Sequence, residues 1–207
     1  MVTDGQKTAL AAIHRGLTRL PALIYDVPLG EGIERQATSF VGINTDRRAI
    51  LASELLTAMV VAGAPEAREF SSIMLRYGIS PRDSSSLSYQ NMAPGETTCI
   101  ALMQSSFRQT GRDEFEALCR VLIEAQFRPI RREHIGAVRV AISKIGMEYL
   151  DYDRLSNAIR SIVDKHARLE AVDAAKKSYT RTTVAQALAA IYLIRYKRNA
   201  KALNASE

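Results

Sequence analysis

From residue 49 to the end, apolar side chains recur at helical spacing, and glycine and proline interrupt the recurrences. Such punctuation restricts the chain to a series of packed helices, because glycine ends a helix in a left-handed conformation and proline starts one at its first turn. Ser53 caps a first predicted helix over residues 54–62, with Leu51, Leu55, Met59 and Val60 inward and Gly63 as its stop. Pro65 opens the next, carrying Ala67, Phe70, Ile73, Met74 and Tyr77 to a stop at Gly78. Residues 80–88 read as a polar loop by composition. Pro94, Gly95 and Glu96 then open a helix to Thr110, closed by Gly111, and Asp113 starts another through Ala125 on Phe115, Leu118, Cys119 and Leu122. Residues 131–145 follow on Ile135, Val138, Val140 and Ile142, ended by Gly146. A single long helix is expected from Tyr152 to about Ala175, with Leu155, Ile159, Ile162, Val163 and Leu169 inward. Thr182 or Thr183 caps the last, residues 184–198, with Leu188, Ile191, Tyr192 and Ile194 mostly buried.

At 207 residues and 47% hydrophobic content the chain can bury a sizeable core. No apolar run reaches the ~18 residues of a membrane span, so no membrane partner is expected. Asp4 and Lys7 stand where an export signal would be apolar. Cys99 and Cys119, far apart and each in an apolar helical context, read as reduced core thiols of a cytoplasmic protein. Neither cysteine nor any of His14, His134 and His166 forms a close zinc-ligand pair.

Residues 1–48 read as a small α/β unit. Asp4-Gly5 breaks a strand end, and Gln6, Lys7 and Thr8 open a helix whose free N–H groups and dipole suit phosphate beside a glycine. The same pattern also fits a tight turn whose Asp4 caps the helix. Residues 20–27 form an apolar strand, and residues 34–48 add a helix with Ala37 and Phe40 inward, then Asn44 and Arg47 at Asn-x-x-Arg spacing. This order resembles the later half of the ParB/sulfiredoxin-like domain, in the branch marked by Asp-Gly-Gln-His. The boxes of that family touch nucleotide phosphates or their Mg²⁺, so the resemblance implies a phosphate or nucleotide site at Asp4, Gly5, Gln6, Lys7, Thr8, Asn44 and Arg47, with a nucleotide and Mg²⁺ as cofactor. Lys7 replaces the family's His and Ile43 its Glu, which implies a degenerate or partner-completed site. The domain's first strands would precede Met1, so the sheet is expected to be incomplete and covered by helices, a second copy or another protein. The expected fold class is mainly α: a partial ParB-like α/β domain over 1–48, then a multi-helix bundle over 49–207 of the kind carried by plasmid and phage relatives.

Charge is unevenly placed. Residues 128–207 carry 16 Lys and Arg against 8 Asp and Glu, whereas residues 49–127 carry 6 against 9. A basic last third suggests a surface for a polyanion, duplex DNA first. Three clusters carry it: Arg128, Arg131 and Arg132 around Pro129, Lys176, Lys177 and Arg181 before the last helix, and Arg195, Lys197 and Arg198 at its predicted end. Cations at a helix C-terminus satisfy its dipole, so the third cluster is expected to contribute less to binding than the second, which also offers Tyr179 for stacking. The chain has no Gly-x-Ser-x-Gly elbow, full P-loop or His-Glu-x-x-His pair. The expected function is a nucleic-acid-binding protein of plasmid or phage ParB type. The alternatives are a protein-interaction or inhibitor module working through an exposed sheet edge, and a nucleotide hydrolase or nuclease with Asp4 and Asp46 as its carboxylates.

Overall fold

The structure is a computed structural model that describes residues 10, 11, 13–16, 34, 37, 38, 41, 51–82, 91–162, 164–178 and 182–204, with side chains to Arg198. The chain divides into two compact units, Met1–Ser71 and Ser72–Glu207. The protein is mainly helical, as expected. The predicted strand over 20–27 lies outside the described residues.

In the first unit, Leu10, Ala11, Ile13 and His14 are helical, as are Glu34, Ala37, Thr38 and Val41. Helix α1 (Ala52–Val61) starts two residues earlier than expected, because the Glu54 carboxylate accepts from the Leu51 N–H at 3.3 Å and makes Leu51 the cap. That register buries Leu56 and Ala58 and leaves Leu51 exposed, a correction to the predicted inward face. Helix α2 (Pro65–Arg76), whose residues from Ser72 on belong to the second unit, begins at its proline and buries Ala67, Phe70, Ile73 and Met74 as predicted.

After α2 the described residues of the second unit depart from helix in one short strand pair. Strand β1 (Ser80–Pro81) pairs in parallel with β2 (Glu96–Thr97). The backbone of Glu96 is committed beyond the strand pair as well, its carbonyl accepting from Ile130 N–H at 3.0 Å. Its carboxylate accepts from the Ala93 N–H at 2.8 Å and Arg82 Nε at 2.7 Å, and both bonds hold the carboxyl below its ordinary range. A helix therefore cannot begin at Pro94. It begins four residues after Glu96.

Helix α3 (Ile100–Glu124) breaks at Gly111, whose φ of 76° lies in the left-handed region, so the two helices expected on either side are present end to end. Phe115, Leu118, Cys119 and Leu122 are buried as predicted. Helix α4 (Arg132–Ile145) ends at Gly146 and buries Ile135, Val138 and Ile142. After a 3-10 turn (Met147–Tyr149), the expected single long helix is two: α5 (Tyr152–Arg160) and α6 (Asp164–Lys177). The division has a local cause. Asp151 caps α5 through the Arg154 N–H, and at its other end the Ser161 hydroxyl donates to the Ala158 carbonyl at 2.7 Å, drawing the last turn closed.

Helix α7 (Val184–Asn204) is capped by Thr183, whose hydroxyl accepts from the Gln186 N–H while Gln186 Oε1 accepts from the Thr183 N–H at 2.8 Å. It packs on α4, α6 and α5, with Leu188, Ala189 and Tyr192 buried. Leu169 on α6 and Ile194 on α7 are exposed, against expectation: Ala167 and Ala171 are the buried positions of α6, so its small side rather than its leucine faces inward. The approach of α4 to α7 is close at Gly136, where a Cβ would lie 2.8 Å from the Ala185 Cβ.

Candidate functional site

Asp4, Gly5, Gln6, Lys7, Thr8, Asn44, Arg47 and Arg181 lie outside the described residues, and so does the phosphate or nucleotide site expected of the first seven. The basic residues of the second unit are described, and they are placed differently from expectation. Arg195, Lys197 and Arg198 sit inside α7, which runs on to Asn204. They are not at a helix end, and the dipole explanation for them fails. Lys176 and Lys177 occupy the last turn of α6 and are the pair that faces a helix C-terminus. Of the first cluster, Arg131 is the N-cap of α4, Arg132 is its first residue and exposed, and Arg128 stands upstream at the cis Arg128–Pro129 bond.

A groove of about 490 Å³ gathers three cations and two tyrosines from four elements. Lys144 comes from the last turn of α4, Tyr149 from the 3-10 turn, Arg154 from α5, and Tyr196 and Lys197 from α7. Among the described residues no Asp or Glu lines it. Its wall is ordered by Arg154, whose Nε donates to the Tyr196 carbonyl at 3.0 Å while its guanidinium stacks 4.0 Å over the Tyr196 ring. The Tyr196 hydroxyl in turn donates to the Tyr149 carbonyl at 3.3 Å, which fixes the turn that carries Tyr149. The Tyr149 ring itself is 72% exposed at the rim. Lys144 and Lys197 are exposed, with no ion-pair partner among the described residues.

Such a groove can hold a phosphodiester backbone by charge and offer one ring for a base to stack on. Sequence reasoning found Lys197 but missed Lys144, Arg154 and Tyr149. The available signal was a tyrosine three residues after the Gly146 stop, with Lys144 two residues before it.

At the opposite end of α4, His134 is buried against Phe127, their rings stacked at 3.9 Å. His134 Nδ1 accepts from the Arg131 N–H at 3.2 Å, so the proton sits on Nε2, which donates to Asp164 at 2.8 Å. Arg168 Nε donates to the other Asp164 oxygen at 3.0 Å. Burial pushes the Asp164 carboxyl up, but the His134 bond and the Arg168 charge together outweigh it and hold the carboxyl below its ordinary range. This cluster ties the start of α4 to the start of α6.

Among the described residues no group of three His, Cys, Asp or Glu is placed to hold a metal ion. No helix of the described residues is long and apolar enough to cross a membrane. Comparison with protein-family models, with curated proteins and with solved structures finds no match.

Proposed function

We propose that this protein binds nucleic acid, duplex DNA first, through the groove between α4, the 3-10 turn, α5 and α7. The observation that carries the reading is the convergence of Lys144, Arg154 and Lys197 around an acid-free groove with the exposed Tyr149 ring at its rim. The excess of 16 basic over 8 acidic residues in the last third supports it, since a polyanion lowers the repulsion among those cations. In this reading the first 48 residues, by their resemblance to the ParB/sulfiredoxin-like domain, supply a degenerate phosphate or nucleotide site at Asp4–Thr8, Asn44 and Arg47. The protein then serves a plasmid or phage.

Binding to random-sequence duplex DNA at a series of salt concentrations tests the reading. Affinity should fall linearly on log–log axes, and K144A with K197A should reduce the slope by about 1.8, about 0.9 for each lost phosphate contact. An unchanged slope in the double variant removes the groove from the interface. Absence of any salt-dependent binding moves the protein to the protein-interaction class.

A further inference from the structure

A second cavity of the helical unit, about 390 Å³, lies at the other end of α4 from the groove. Gln126, Arg128, Arg160, Asp164 and Tyr192 line it with the apolar Ile159. Tyr192 is 1% exposed, and its hydroxyl has no hydrogen-bond partner among the described residues. Buried hydroxyls are almost always paired, and the cavity is far larger than the single water this one would need. Burial pushes the phenol up, so it remains a donor at neutral pH.

The other walls have complementary chemistry. Arg128 is exposed and has no ion-pair partner among the described residues, and Arg160 bonds only the amide oxygen of Asn157 on its own helix. Asp164 is clamped by His134 and Arg168 through one bond to each oxygen, which leaves each oxygen a free lone pair and holds the carboxylate in place. Gln126 keeps a left-handed φ of 58°, uncommon for a residue with a side chain. Two guanidinium groups match the charge of a phosphomonoester, which approaches −2 at neutral pH, better than that of a single carboxylate. An ionised carboxylate beside a phenol calls for a neutral group that can both donate and accept. A hydroxyl does both.

We propose that this cavity is a binding site for a small phosphorylated polyol, its phosphate held by Arg128 and Arg160 and a hydroxyl shared between Asp164 and Tyr192. The site is separate from the proposed nucleic-acid groove and does not depend on it.

Titration calorimetry of the full chain with ribose 5-phosphate, inorganic phosphate and ribose, at one ionic strength, tests it. Ribose 5-phosphate should bind with a Kd below about 1 mM, and the other two at least about tenfold more weakly. R128A, at an exposed position, should weaken ribose 5-phosphate about tenfold, and Y192F should do the same with its melting temperature unchanged or raised. DNA affinity of Y192F should equal that of the parent chain. No binding of ribose 5-phosphate, equal binding of inorganic phosphate, or undiminished binding by both variants overturns the proposal.

Discussion

Asp164 is one of the carboxylates through which acid should weaken the helical unit. Its carboxyl is held below the unfolded value, near 3.9, so it contributes stability that is fully present above about pH 4 and is lost as pH falls through the folded value. Melting temperatures between pH 2 and 6 should therefore drop less steeply for D164N than for the parent chain. At pH 7 the same substitution should cost about 1 kcal/mol, modest because the side chain is 41% exposed. Tyr192 predicts the opposite sign. Its hydroxyl is buried and unpartnered among the described residues, so Y192F removes a desolvated group and should be neutral or stabilising by up to about 1 kcal/mol in urea unfolding.

Among the elements, the contact of α4 with α7 depends on the absence of a side chain at position 136. Alanine is a better helix former than glycine by about 1 kcal/mol. At Gly136, however, its Cβ would lie 2.8 Å from the Ala185 Cβ, and separating two packed helices costs about 1–3 kcal/mol. G136A should thus be net destabilising in denaturant unfolding, and adding A185G should recover most of the loss. Nothing in the sequence marks this position, because the clash is with a residue 49 places away. Helix ends were legible for the reverse reason: Gly63, Gly78, Gly111 and Gly146 act on their own neighbours and stop helices where expected. The β1–β2 pair was not, since two-residue strands carry no periodicity and Ser80 meets Glu96 only through the fold. Leu51, Leu169 and Ile194 were misplaced because an apolar residue at helical spacing faces inward only if a partner exists there, and small alanines took that side on α6. The groove was half legible. Charge pointed to Lys197, whereas Lys144, Arg154 and Tyr149 come from separate elements that only packing brings together.

For the molecule as a whole, the length of α7 changes which basic cluster should matter. Lys176–Lys177 precede α7 and Lys197 lies well along it, about 20 Å from its start at 1.5 Å per residue, so the two clusters do not meet as one patch. K197A with R195A and R198A should accordingly weaken duplex DNA binding more than K176A with K177A, measured side by side at one salt concentration. The last two share the dipole of α6, and the first three have no such role. Cys119 offers a different kind of access to the same unit. Its thiol is fully buried in α3 and pushed up by that burial, beyond reach of any alkylating reagent while the core is closed, whereas Cys99 is only half-buried. With Cys99 replaced by alanine, the protein contains a single stopwatch: the rate at which iodoacetamide labels Cys119 counts how often the whole core opens, molecule by molecule, in native buffer.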